Sequence, residues 1–313
     1  ERFRRQRQMC IRDRFWPSVF CLARCAGKFW TGVEIALMSS QVQIPRRFVM
    51  TVFNLGSINI DLFYTVPHFP APGETLASLD HRRALGGKGA NQSIALARAG
   101  APVVHIGATS PEDGWIRAEM RQAGVDTADI QDSADATGHA VVTVSVGGEN
   151  QILLCPSANA TIDMGRAVAV LNAAQPGDWA LLQNETNGAE AFVEAARARG
   201  LKLAYSAAPF DASVTAGLLP HTDLLIVNEG EAAALGEMLG RPPEESGVPH
   251  LVITRGGEGA DYHGEAGHIH QPAFAVTPVD TTGAGDCFFG YFLAGMARGD
   301  AMDHTLRLSL IHI

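Results

Sequence analysis

From residue 166 onward apolar runs alternate with helical ones, and this rhythm constrains the fold more than any single motif: RAVAVLNAA (166–174), WALLQN (179–184), EAFVEAARARG (190–200), KLAYSAA (202–208), LLIVNEGEAAAL (224–235) and LVITRG (251–256). Parallel strands need a crossover connection between them, and a helix supplies it. Such alternation specifies an α/β fold, a mainly parallel sheet with helices on both faces. The first half carries the same signal with interruptions. MTVFNLGSINID (50–61) reads as a first parallel strand ending in a glycine turn, and VVHIGATS (103–110) as a second buried strand before the helix PEDGWIRAEMRQAGV (111–125). Two pieces fall outside the rhythm. Residues 62–85 are strand-like fragments broken by Pro67, Pro70, Pro72 and Gly73, and HAVVTVSVGGENQILLCP (139–156) alternates around the hairpin pair GGEN. Together they are expected to form a small antiparallel flap.

Charge divides the chain near Met50. Residues 1–49 hold 10 of the 24 Lys and Arg but only three acids, which leaves −16 on the remainder against +7 upstream. So acidic a globular part argues against nucleic acid or an anionic membrane as its partner. No apolar run reaches the length of a membrane span. MCIRDR (9–14) and LSLIHI (308–313) look like translations of one transposon-end sequencing adapter read in opposite directions. The expectation is that 1–14 and 308–313 are adapter scars, that 15–49 is upstream read-through, that Met50 is the native start and that the native C-terminus is missing. Beyond the leader only Cys155 and Cys287 remain, far apart and without metal-type spacing, which suits a reducing cytoplasm. His268 and His270, in GEAGHIHQP, read as two imidazoles on one face of a polar hairpin arm rather than as a metal site.

Five polar or glycine clusters stand at the ends of apolar strands. In LGSINID, Asn59 and Asp61 are two apart and point to one side of an extended chain. An amide beside a carboxylate suits the hydroxyls of a polyol, or makes an ordinary Asx turn. GGKGAN sets Gly86, Gly87 and Gly89 around Lys88, with Asn91 in the first turn of the next helix. It is neither a P-loop nor a dinucleotide fingerprint. It is either a ligand cradle with a cation and an amide or a glycine-rich helix start. NEGE (228–231) places Asn228 and Glu231 three apart after LLIV, a spacing that holds a hydrated Mg²⁺ through water or makes a capping box. TRGGEG (254–259) ends another strand in glycines. Finally, VDTTGAGDCFFG sets Gly283, Ala284, Gly285 and Asp286 at the start of an apolar helix. That start offers backbone N–H groups and a partial positive charge to an anion, or is capped by its own Asp. Open α/β sheets bind ligands outside the carboxyl ends of their strands, so one shared cleft accounts for all five clusters.

GGKGANQSIALARAG and DTTGAGDCF resemble the two signature segments of the ribokinase (PfkB carbohydrate kinase) family, and LGSINID, NEGE and TRGGEG fall in that family's order around them. The resemblance runs from Met50 to about Arg307. It implies a three-layer sandwich with a small β lid near 62–85 and 138–156, and transfer of the γ-phosphoryl of ATP to a sugar's primary hydroxyl, with D-ribose as the expected sugar. It assigns Asp286 as general base and the N–H groups of Gly283, Ala284 and Gly285 as an anion hole. Asn59, Asp61, Gly87, Lys88, Asn91 and Glu185 match sugar-site positions; Asn228 and Glu231 match the motif tied to Mg²⁺. Asn228, Thr254, Gly256 and Gly259 match nucleotide positions, and Asp280 with Thr282 matches part of a K⁺ site. Lid-to-lid homodimers are a habit of the family. Rival readings are a relative acting on fructose, a ketodeoxy sugar acid or a nucleoside, and a sugar-binding protein without turnover. A sugar acid calls for an added Arg or Lys in the lid, and 62–81 contains none.

Overall fold

The computed structural model describes residues 50–277 and 281–312; the leader 1–49 and Asp280 lie outside the described residues. The chain opens with the buried strand β1 (Val52–Leu55), then β2 (Asn59–Val66) and β3 (Asp80–Gly86), which leads into α1 (Lys88–Arg98). Next come β4 (Val103–Thr109), α2 (Gly114–Gln122), β5 (Ile130–Asp132), β6 (Gly138–Ser145) and β7 (Asn150–Cys155). The regular part follows: α3 (Met164–Val170), β8 (Trp179–Gln183), α4 (Ala189–Ala198), β9 (Lys202–Ser206), α5 (Ala212–Leu218), β10 (Leu224–Asn228), α6 (Glu229–Leu239) and β11 (His250–Thr254). A hairpin of β12 (Ala260–Gly264) and β13 (Gly267–Gln271) precedes α7 (Ala284–Arg298) and α8 (Met302–Ile311). Ser309 and Leu310 of the LSLIHI segment are buried within α8.

Among the described residues the main sheet has nine strands in the order β13-β12-β11-β10-β9-β8-β1-β4-β5. Its neighbours are parallel from β11 to β5, and the β12–β13 hairpin adds an antiparallel edge. Successive strand residues feed opposite faces. Val52, Leu181, Leu224 and Val252 join Leu96, Phe288, Phe292 and Leu306 in one core, under α1, α7 and α8. Phe53, Leu182, Leu225 and Leu251 join Phe192, Leu218 and Leu235 in the other, under α4, α5 and α6. Burial on both faces is what the continuous apolar runs require, and each such side chain contributes about 1.5–3 kcal/mol.

The small sheet runs β3-β2-β6-β7. Both outer pairs are antiparallel, as expected of a flap, while the central β2–β6 pair is parallel. The reason is connectivity: β6 reaches β2 only after the chain has passed through α1, β4, α2 and β5. The lid joins the main body where β1 turns into β2. There a Cβ on Gly56 would stand 2.6 Å from Gly89 Cα. The glycines of GGKGAN thus let the start of α1 cross the β1–β2 turn, so the backbone they admit is the protein's own.

Candidate active site

The turn Gly56–Ile58 delivers Asn59 and Asp61 on one face of β2, at the root of the lid. Asn59 is 4% exposed. Its Oδ1 accepts from Asn159 Nδ2 at 2.8 Å, and Asn159 in turn accepts from the Ile58 amide at 2.9 Å and donates to the Ile58 carbonyl at 3.1 Å. Asn159, which the sequence reading passed over, therefore fixes which end of the Asn59 amide faces the cleft. Asn59, Leu154, Asn159, Asn184 and Glu185 line a cavity of about 330 Å³. Glu185 is held by the Ser57 hydroxyl and by the Lys88 amide at 3.2 Å. Burial raises the Asp61 carboxyl above its ordinary range, Glu185 adds to the rise, and Arg82 opposes it.

Asp286 sits in the first turn of α7, whose preceding Gly283 has a left-handed φ of 73°. That conformation favours glycine. Asp286 accepts from Asn91 Nδ2 at 3.1 Å and from Gln92 Nε2 at 3.0 Å. Burial raises its carboxyl; the charge of Lys88 and the two amide bonds oppose the rise, and Glu185 adds to it. Lys88 thus lies within electrostatic reach of Asp286. Of the amides assigned to the anion hole, that of Ala284 donates to the Thr281 carbonyl at 3.1 Å, within the turn that opens the helix. Thr282 is exposed on the same turn, and its companion Asp280 lies outside the described residues.

The nucleotide-side positions gather separately, at the ends of β10 and β11, where Asn228 pairs with Thr254. Asn228 and Glu231 form a full capping box: Asn228 Oδ1 accepts from the Glu231 amide, and Glu231 Oε2 from the Asn228 amide, both at 2.9 Å. The capping reading of NEGE is therefore realised. Glu231 Oε1 stands outside the box on a half-buried carboxylate, and Lys88 acts on this charge as well. One hard carboxylate oxygen approached through water suits Mg²⁺, which keeps several waters and takes few protein ligands. Gly256 and Gly259 turn the chain into β12, with the Arg255 amide on the Gly259 carbonyl at 2.8 Å. Arg255, not singled out from sequence, ties this loop to Glu229 at 3.2 Å and to Asp261 at 2.5 Å. His268 and His270 both turn to Asp261, at 3.4 and 2.7 Å, on one face of the hairpin.

Lys88 acts on Asp286 and Glu231, and Glu185 on Asp61 and Asp286, so the sugar-side and helix-start residues form one electrostatic cluster. A hydroxyl placed against Asp286 would face a proton acceptor, a cation and a helix N-terminus, the parts that an in-line phosphoryl transfer uses. Arg82 lies one residue beyond the lid window searched for cations, and its guanidinium sits 3.6 Å from the centre of the Phe63 ring. Phe63 is the cross-strand partner of Arg82 and shares the β2 face of Asn59 and Asp61.

Comparison with known proteins follows the same lines. The sequence matches the pfkB family carbohydrate kinase model over residues 51–310. Ribokinase of Haemophilus influenzae is 32% identical over 274 residues, covering 82% of this chain and 89% of the relative. Deoxyribokinase of Salmonella typhi is 28% identical over 262 residues, covering 78% and 84%. The crystal structure of ribokinase from Cryptococcus neoformans var. grubii serotype A in complex with ADP superposes with a TM-score of 0.72 at 31% identity, covering 84% of this chain and 91% of that one.

Proposed function

The chain belongs to the pfkB family of carbohydrate kinases, and from that premise we propose that it transfers the γ-phosphoryl of ATP to the primary 5-hydroxyl of D-ribose. The observation that carries the reading is Asp286: a carboxylate at a helix start, held by Asn91 and Gln92 and facing Lys88. Asn59, Asp61, Lys88, Asn91 and Glu185 hold the sugar; Gly87 brings the backbone close to it. Asp286 accepts the hydroxyl proton, and the amides of Gly283 and Gly285 face the transferred group, joined by that of Ala284 once it leaves the Thr281 carbonyl. Thr254, Gly256, Gly259 and Asn228 take the nucleotide; that a ribokinase at 31% identity binds ADP supports this. Asn228 and Glu231 hold Mg²⁺ through water, and the ion neutralises phosphate oxygens when bound. K⁺ at Thr282 and Asp280 rests on the DTTGAGD resemblance alone. The exposed Ile152 and Leu153 of β7 support pairing of two lids, which sedimentation would test.

Arg82 favours a second reading, a sugar acid whose carboxylate meets the guanidinium on Phe63. ADP release with D-ribose, 2-deoxyribose, fructose, a ketodeoxy sugar acid and ribonucleosides, with Mg²⁺ and K⁺ present, decides between them. Ribose turnover that persists in Arg82→Ala supports the first reading; turnover confined to the acid and abolished by that change replaces it.

A further inference from the structure

A layer of buried polar side chains lies directly behind Asp286. On the face of the sheet toward α1 and α7, the inward apolar series Val52, Val103 and Leu181 continues two residues later as Asn54, His105 and Gln183. Three adjacent strands therefore change from aliphatic to polar on this face, with Asn54 and His105 in register and Gln183 one step further along β8, beyond Leu181, the register partner of Asn54. All three side chains are at most 1% exposed, as are Gln92 and Ser93 of α1. Polar groups in such a place cost stability unless they are paired, and aliphatic side chains would fill the layer at no such cost.

The bonds run in one direction. His105 is fully buried and pushed down to about 4 by burial, so its ring is neutral at physiological pH. Its Nδ1 lies 2.8 Å from Ser93 Oγ and its Nε2 3.1 Å from the Gly56 carbonyl. The carbonyl can only accept, so Nε2 carries the proton and Ser93 donates to Nδ1. Asn54 Nδ2 then donates to Ser93 Oγ at 2.8 Å and to the Gly89 carbonyl at 2.9 Å. Gln183 Nε2 donates to Asn54 Oδ1 at 3.0 Å and to Gln92 Oε1 at 2.7 Å. Reversing the Gln183 amide would set oxygen against oxygen at both contacts. With its oxygen engaged by Gln183, Gln92 has only its NH₂ to offer Asp286.

We propose that Asn54, Ser93, His105, Gln183 and Gln92 form a polar layer of fixed direction that presents a donor, and only a donor, to Asp286 Oδ1, and so positions an ionised carboxylate for proton transfer. This inference rests on Asp286 being the base. Lys88 and Glu185 are the charged groups that face it, and neither belongs to the layer.

The test uses the full chain carrying Gln183→Met, which leaves Asp286 untouched but frees Gln92 to turn its oxygen toward it. The Asp286 carboxyl is titrated by carbon NMR, assigned with Asp286→Asn, and ADP release is measured with D-ribose. The expected result is a titration moved up by about one pH unit, a kcat lowered about 10–100-fold, and KM values for sugar and ATP within about twofold. Should Gln183→Met fail to fold, Gln92→Met removes the donor itself and must move the titration the same way. A folded variant with an unmoved titration, whatever its thermal stability, overturns the proposal and leaves the base reading standing. Near-native turnover in Asp286→Asn overturns the base reading and this proposal with it.

Discussion

Asp286 and Asp261 each accept hydrogen bonds from at least two side chains, yet their carboxyls move in opposite directions. Asp286 is half-buried and met by two neutral amides, and desolvation wins: its carboxyl is raised. Asp261 pays a burial penalty too, but bonds from Arg255, His270 and His268 outweigh it and hold the carboxyl at about 2. Neutral donors orient a carboxylate while leaving it willing to take a proton, whereas a guanidinium such as that of Arg255 locks it in the charged state. On the proposed function the helix start suits proton transfer, and the ion-paired β12–β13 hairpin suits cohesion.

Replacing Asp286 should break this contrast most. Asp286→Asn is expected to lower kcat about 10²–10⁴-fold in an ADP-release assay. The folded state holds the Asp286 proton more tightly than the unfolded chain, so the wild type loses stability as pH rises through the raised value. The melting temperature of Asp286→Asn should therefore gain on that of wild type as pH rises above about 4, the ordinary carboxylate value. A wild type that gained instead would mean that ionised Asp286 is stabilised by folding, as Asp261 is.

Gly290 sharpens the same side. It lies where α7 crosses α1, and an added Cβ would press on Ala95 and on the Gln92 carbonyl. Gly290→Ala should cost about 1–3 kcal/mol in denaturant unfolding, and should also lower kcat because it pushes Asp286 away from Gln92. At the hairpin the expected effect is smaller and of opposite pH sense. Asp261→Asn should cost about 1 kcal/mol at pH 7, discounted for the solvent around its partners. A depressed carboxyl stabilises above its unfolded value, so the difference should vanish as pH falls from about 4 to 2.

The parallel sheet was legible because strand and helix periods differ, and the candidate site residues could be named because they cluster in short motifs beside the strands. The polar layer was not. Asn54, His105 and Gln183 are single polar residues in the apolar strands VFNL, VVHIGAT and WALLQ, and only the strand order makes them neighbours. One signal was available: each follows an inward aliphatic residue by two positions. Arg82 escaped for a different reason. It lies inside the expected lid of 62–85, but the charge argument covered only 62–81 and stopped one residue short of the cation that stacks on Phe63.

The smallest effect is expected on the nucleotide edge, where one residue is assigned two roles. Glu231 caps α6 through Oε2, and a glutamine oxygen accepts the same bond from the Asn228 amide. Glu231→Gln should therefore change unfolding stability by less than about 0.5 kcal/mol. It removes the charge on which a water-bridged Mg²⁺ depends, so the Mg²⁺ concentration for half-maximal rate should rise about three- to tenfold, with the maximal rate recovered at saturation. An unchanged Mg²⁺ requirement would reduce Glu231 to a helix cap. A stability loss near 2 kcal/mol would show that its charge serves the helix start and Lys88 rather than the metal.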